Sequence, residues 1–472
     1  MKKQFIKLCS IIVCVTFLSW LSSCKSDPPL ADNLVAFETS AVGLADTDNE
    51  TQININLSRA VSTATTLSIS LTTDGVTYGE EFTTDPAATA NSISVTIPAN
   101  ASTASFKVVR ADNIFLDGNE SVTFTITNAP TSLVIGEIHD VKLSFSSIVS
   151  EGSQLQLQGI AGSEAGSSAA NSVFVDFSSN TQTDVLRTSW DLGFYLGDKF
   201  RVKINNTTGA SGVMIDKTDL NDVSSADVAN SSLAIGRGAG TLDLLDDVSG
   251  DISSTLIAEI SATDSENKVY VLNRIGGSGS TQATDEFVKV RILRNGDGYT
   301  LQYAKINETT YKTAQITKDA TLNFKYFNFD NGAVTVEPAK ASWDIEWTWS
   351  MHSYPYQGSV IPYGFSDYVF INNLGGAQVA VVTSADATAA ATAYTNFSES
   401  DISTLTFSNE RNAIGADWRS TSPATGIFYN IFYIVKDANG NYYKLKFVTM
   451  GVADAGTRGK PVIEYALVKK GS

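Results

Sequence analysis

The sequence predicts an all-β protein, with an N-terminal antiparallel β-sandwich followed by two β-rich units and few short helices. Three observations carry this. Short runs in which apolar and polar residues alternate recur along the chain, and a period of two marks a half-buried strand. The composition, 43% hydrophobic and 18% charged with only 10 Pro in 472 residues, is that of a folded chain. A Trp-Asp strand start occurs twice, as Trp190-Asp191-Leu192-Gly193-Phe194-Tyr195 and as Trp343-Asp344-Ile345-Glu346-Trp347-Thr348-Trp349, 153 residues apart.

Between residues 34 and 148 the alternating runs fall at 34–37, 52–57, 66–71, 93–97, 104–109, 122–127 and 141–145, separated by Asp, Asn, Gly and Pro turns. Seven short strands at that spacing describe a β-sandwich. A Ser/Gly/Glu-rich stretch at 146–153 suits a linker.

The repeat follows, in units expected at 155–322 and 323–472. Phe174 to Phe177 precedes the first Trp-Asp, as Tyr326-Phe327-Asn328-Phe329 precedes the second. Asn205-Asn206 and Asn372-Asn373 end the next strands, each followed by small residues, and each unit later carries a hairpin signal, Asn295-Gly296-Asp297-Gly298 and Asp437-Ala438-Asn439-Gly440. After the second Trp strand come Met351 and His352, then a Tyr/Gly/Pro-rich loop from Ser353 to Gly358. One short helix is expected near 254–260.

The N-terminus has its own logic. Lys2, Lys3 and Lys7 precede an apolar run at 8–21, and Leu21-Ser22-Ser23 leads into Cys24, the last of three cysteines. This resembles a bacterial lipoprotein signal (residues 1–24), which implies cleavage before Cys24, a lipid on its thiol with palmitate among the acyl chains, and a tether at 25–33. No later apolar run approaches the roughly 18–20 residues that span a bilayer, so membrane contact is expected through the lipid alone. A net charge of −17 argues against nucleic acid, whose phosphates call for basic surface.

Two family resemblances rest on particular residues. Phe37-Glu38, Glu81-Phe82, Ile97-Pro98-Ala99 and Asp117-Gly118-Asn119-Glu120 resemble Calx-β-like sandwich modules. That resemblance implies a possible calcium site using Glu38, Glu81, Asp112, Asp117 and Glu120, since calcium takes six to eight oxygens; solvated turn carboxylates are the competing reading. The Trp-Asp strands, the Asn-rich strand ends, Ile414-Gly415 through Trp418-Arg419, the arm Tyr442-Tyr443-Lys444-Leu445-Lys446-Phe447 and the closing run 459–467 resemble the HmuY family. Its members are lipid-anchored, all-β haem-binding proteins of Gram-negative bacteria. The resemblance implies a non-catalytic protein that captures haem or a related porphyrin for uptake through a TonB-dependent outer-membrane receptor. It implies an outer-membrane location, on the cell surface or the periplasmic face.

Haem held by His or Met leaves few choices beyond the initiator: Met214, Met351, Met450, His139 and His352. His352 with Met351 is the leading pair, with Tyr354, Tyr356 and Tyr363 as a wall for a planar ligand, and Met214 facing from the first unit. A Met beside a strand is also ordinary core filling, and His139 reads as a turn residue. The alternative from another class is an adhesion or glycan- and protein-binding surface lipoprotein that never meets haem. Catalysis is not expected: two histidines leave little for a triad or a metal centre, and no Gly-x-Ser-x-Gly, His-Glu-x-x-His or phosphate-binding loop is present. Asp243 to Asp247 with Asp251 offers a weak cation loop, against which a solvated acidic turn is the favoured reading. The Trp-Asp pair reads as structural, the ring in the core and the acid accepting backbone N–H groups.

Overall fold

The computed structural model describes residues 32–44, 48–111, 120–145 and 152–471. The expected signal with Cys24 lies outside the described residues, as do Asp112 and Asp117.

Residues 34–145 form two five-stranded sheets packed face to face. One contains Phe82–Asp85, Thr103–Arg110, Glu50–Leu57, Leu34–Phe37 and Val134–Ile135 in that order; the other runs Ala41–Gly43, Asp140–Ser144, Ser121–Asn128, Thr65–Asp74, Ser92–Ile97. Alternation puts Ile53, Ile55, Leu67, Ile69, Phe106 and Phe124 inside, and the last two rings meet edge to face at 5.0 Å across the sheets. All seven expected strands are present. Three more, at Ala41–Gly43, Phe82–Asp85 and Val134–Ile135, are too short for alternation to show.

The remainder holds two lobes, each a pair of sheets. In the first lobe, the sheet Val202–Ile204, Leu192–Tyr195, Phe324–Asn328, Gly332–Val334 packs on the sheet Ser211–Ile215, Val269–Asn273, Val288–Asn295, Gly298–Lys305, Lys312–Ile316. In the second, Thr181–Leu186, Asn171–Asp176, Ile345–Tyr356, Ser359–Ile371 packs on Gly152–Gln156, Val462–Lys469, Tyr442–Thr449, Ile431–Lys436, Gln378–Thr383. Both expected Asn-Gly hairpins form, with Gly296 and Gly440 at positive φ. Asn180, in the turn between Asn171–Asp176 and Thr181–Leu186, ties the sandwich on: its Nδ2 donates to Thr39 Oγ1 (2.8 Å) and to the Ala41 carbonyl (3.0 Å).

Neither lobe is built from one repeat alone, because the repeats exchange their leading hairpins. The first leading strand, Asn171–Asp176, pairs with the second Trp strand, Val173 opposite Trp347. The second leading strand, Phe324–Asn328, pairs with the first Trp strand, Leu192 opposite Phe327. Each Trp-Asp pair holds the other repeat's hairpin. Asp191 accepts from the Phe329 N–H at 2.8 Å and Asp344 from the Phe177 N–H at 2.7 Å. Trp190 packs edge to face on Tyr326 and Trp343 on Phe174, with centroids at 4.9 and 5.1 Å. Asn205 donates to the carbonyls of Arg187 and Trp190, and Asn372 likewise to those of Lys340 and Trp343, so the paired asparagines brace the two Trp turns.

No helix forms near 254–260. There Asp246 Oδ1 accepts from the Leu256 N–H (2.8 Å), and Ile257 and Ile260 are buried in the first lobe's core, so the segment is strapped down as an extended loop. Among the described residues the α-helices are Ala387–Asn396 and Glu399–Ile402; the first follows Asp386, whose side chain caps the Ala389 N–H.

The exchanged acids differ in one testable way. Burial, with Asp176 and Asp437 nearby, raises the Asp344 carboxyl well above the usual range, which favours its neutral form. Asp191 instead is held in a two-pronged ion pair with Arg274, at 2.7 and 2.9 Å. Asp344→Asn is expected to cost under about 1 kcal/mol and Asp344→Ala about 1–3 kcal/mol, from the orphaned Phe177 N–H. Asp191→Ala is expected to cost more than Asp344→Ala, because it orphans the Phe329 N–H and also leaves the part-buried Arg274 guanidinium with only its exposed partner Asp330 (2.9 Å). Urea unfolding of the three variants checks the order; equal losses would contradict it.

Candidate functional site

The Trp strand of the second repeat does not end in a loop. Ile345–Tyr356 and Ser359–Ile371 pair along their length, Tyr356 opposite Ser359, and the turn residues Gln357 and Gly358 have φ of 48° and 82°. Two positive φ values in a two-residue turn suit the twist of a hairpin. The expected Tyr/Gly/Pro-rich loop is therefore a β-ribbon extending beyond the lobe. Its prolines are compatible with this: hydrogen-bonded and open pairs alternate from the closing pair, so Pro355 and Pro362 fall at open positions, where no ladder N–H is lost.

Residues 347–366 contain no Asp, Glu, Lys or Arg, in a chain that is 18% charged. The ribbon's two faces differ sharply. On one, Met351 is fully buried and packs with Trp349 against Ile235 and Leu245 of the first repeat. On the other, His352, Tyr354, Tyr363 and Phe365 form a continuous aromatic row. Tyr354 lies 5.3 Å from Tyr363, which lies 5.5 Å from Phe365, which lies 5.5 Å from His352. Tyr354, Tyr356, Val360 and Tyr363 are exposed by 42, 48, 60 and 40%. His352 is half-buried at the root; its Nδ1 lies 3.2 Å from the Tyr368 hydroxyl and its ring also bonds the Val248 backbone. Burial lowers its pKa, the largest effect on it, which favours the neutral imidazole that a metal requires.

The structure thus unites His352 and Tyr354 on one platform, with Tyr356 at its tip, and separates the two methionines from them. Met351 points to the opposite face, as neighbours in a strand must. Met214 is 51% exposed on Ser211–Ile215, opposite Tyr270 in the first lobe. Met450 is core, and His139 is an exposed turn residue whose Nδ1 lies 3.0 Å from the Glu137 carbonyl. Sequence reasoning did not single out Phe365 or Tyr368. Register would have found Phe365 by placing it opposite Ser350, but the kink at Ser366-Asp367 breaks the alternation.

Of the acidic residues expected at a calcium site, Glu38, Glu81 and Glu120 lie among the described residues. Glu38 accepts from Asn54 Nδ2 at 2.7 Å, Glu81 from the Thr77 N–H at 2.7 Å, and Glu120 sits beside Gly75. Among the described residues no group of three or more His, Cys, Asp or Glu side chains is placed to hold a metal.

Beneath the ribbon's root, where the lobes meet, lies a small recess of about 50 Å³. Lys203 is buried there, its ammonium 3.9 Å from the Phe324 ring centroid and 3.0 Å from the Tyr326 hydroxyl. Tyr326 donates to Glu337 (3.2 Å), and Arg411 pairs with the buried Glu346 at 2.9 Å. Asp246, expected in a solvated acidic turn, is buried instead and accepts from the Ile204 and Leu256 N–H groups. Burial pushes Asp246 and Glu337 up to about 7 and Lys203 down to about 8. The recess is far smaller than the 300–1,000 Å³ of an ordinary ligand site, so the cluster serves the junction.

A pH dependence follows. A carboxyl whose folded pKa is raised favours the fold while protonated, so the contribution is full below its unfolded value near 4 and is lost as pH rises through about 7. Between pH 5 and 8 the melting temperature is expected to fall, and Asp246→Asn to flatten that slope. An unchanged slope in the variant would show that Asp246 is not one of the groups responsible.

Two sheet-pair lobes with exchanged hairpins and one charge-free aromatic ribbon describe a binding scaffold. The chain belongs to the HmuY family, which matches residues 168–326 and 321–465 and is a family of binding proteins. No curated protein sequence matches the chain. Among solved structures, the sandwich region is similar to an apo-form Calx CBD1 domain (10% identity, 25% of this chain and 97% of that one, TM-score 0.22). A two-domain protein of unknown function from Bacteroides fragilis NCTC 9343 is similar over 72% of this chain and 93% of its own, at 8% identity and TM-score 0.19.

Proposed function

We propose that the protein is a non-catalytic surface lipoprotein that binds haem or a related porphyrin on the aromatic face of the ribbon, for delivery to an outer-membrane receptor. The observation that carries the reading is the row His352, Phe365, Tyr363, Tyr354, projecting from a family-matched scaffold. A planar macrocycle gains from stacking on such rings, and the residues present fit one of its faces. Tyr354 and Tyr363 are exposed, and a phenolate is a known ligand for ferric haem. His352 would first have to release Tyr368 or Val248, so the tyrosines are the more available ligands and His352 the reserve. Met351 would have to leave a packed core and is assigned no role; Met214 belongs to another surface. Bound haem would supply iron and porphyrin as cargo, with the chain's residues holding and orienting them.

Titrating the protein with haemin is expected to give a shifted Soret band. Tyr354→Phe combined with Tyr363→Phe is expected to remove the ligand-dependent shift, and His352→Ala to weaken it. No spectral change with the unaltered protein would overturn the reading in favour of a glycan- or protein-binding role for the same tyrosines.

The anchoring part of the reading rests on the signal ending in Cys24. A Cys24→Ser protein expressed in a Gram-negative host is expected to leave the membrane fraction; retention there would contradict lipid attachment at this residue.

A further inference from the structure

We propose that Arg419 and Arg458, at the root of the ribbon, form a fork for a carboxylate, so that the ribbon selects planar aromatic ligands bearing an acidic arm. This rests on the ribbon being the ligand face, as proposed above.

The fork sits where the ribbon's outer strand kinks. Between Phe365 and Tyr368 the register shifts, and Asp367, 1% exposed, has φ of +55°. Arg458 Nη2 donates to Asp367 Oδ2 at 2.5 Å and to Ser366 Oγ at 2.8 Å, and Arg419 Nη2 donates to the Ser366 carbonyl. Both guanidinium groups thus converge on one two-residue kink. Arg419 is 7% exposed, and its guanidinium lies 6.0 Å from the centre of the Phe365 ring. The sequence of contacts Tyr354, Tyr363, Phe365, Arg419 therefore leads from the exposed platform to a buried cation.

That cation is incompletely satisfied. A guanidinium carries five N–H donors, and the Nε of Arg419 and the Nε of Arg458 are both buried without a partner. Buried donors left unpaired are costly, and the planar fork is shaped for two-pronged contact with a carboxylate. The acids facing the pair are Asp367, which is buried between the two arginines with its own Oδ1 unpartnered, and Asp417. Asp417 is exposed, so water screens its charge. An arriving carboxylate at the inner edge of a stacked macrocycle would complete the set.

Absorbance titrations of the full chain in detergent, with haemin and with haemin dimethyl ester, test this. The unaltered protein is expected to favour haemin by about tenfold or more, the scale of one hydrogen bond to a charged group. Arg458→Gln is expected to bring the ratio of haemin to ester affinity to about one. Arg458→Lys, which keeps the charge but loses the fork, is expected to restore only part of the preference. Near-ultraviolet circular dichroism confirms that each variant is folded. Equal affinity of the unaltered protein for acid and ester, or a preference that survives Arg458→Gln in folded protein, overturns the fork but leaves haem binding standing. Failure to bind either ligand removes the ribbon reading and the fork together.

Discussion

The architecture depends on an aspartic side chain reaching across from one repeat to accept a backbone N–H of the other, made twice. Asp191 holds Phe329 and Asp344 holds Phe177, each acid following a tryptophan that packs on an aromatic of the same foreign hairpin. Because a sheet edge left open exposes a row of unpaired backbone groups, each Trp strand needs a neighbour, and here the neighbour always comes from the other repeat. Removing one repeat would strip a strand from both lobes, so the pair is one cooperative body in a way that two beads on a string are not.

The exchange also explains the charges at the junction. Bringing the second leading hairpin against the first Trp strand places Tyr326 and Glu337 beside Lys203, while Glu346 and Arg411 close the space from the second lobe. A buried ion pair seldom adds much net stability, but each member left alone is expensive. The cluster therefore penalises any register or pairing in which its members do not meet. That is a specificity argument, and the 74° and 83° ring contacts at Trp190 and Trp343 point the same way.

Much of this was legible in the chain. Alternation located the sandwich strands, Asn-Gly turns located both later hairpins, and the Trp-Asp recurrence exposed the repeat. What the pattern could not show was which hairpin pairs with which strand, since both leading strands, Asn171–Asp176 and Phe324–Asn328, carry the same apolar character and would fit either partner. The ribbon was hidden for a different reason. Tyr354, Pro355, Tyr356, Gln357 and Gly358 have the composition of a loop, and only the register makes strands of them. Asp246 was misread because five residues rich in Asp suggest solvent, whereas two backbone N–H groups and a lysine were waiting for one of them.

The ribbon is the part that folding alone does not account for. Toward its tip the strand pair buries little, so its tyrosines and Val360 remain in water at a cost that the lobe does not recover. Isolated two-stranded ribbons are marginal on their own, yet this one is clamped on its Met351 face by Ile235 and Leu245 and kinked at its root by Asp367, in a backbone conformation unusual for a side-chain-bearing residue. An exposed aromatic row and a strained kink meet there, on a surface without a formal charge between residues 347 and 366, and that combination is what supports the proposal that the ribbon is a ligand face.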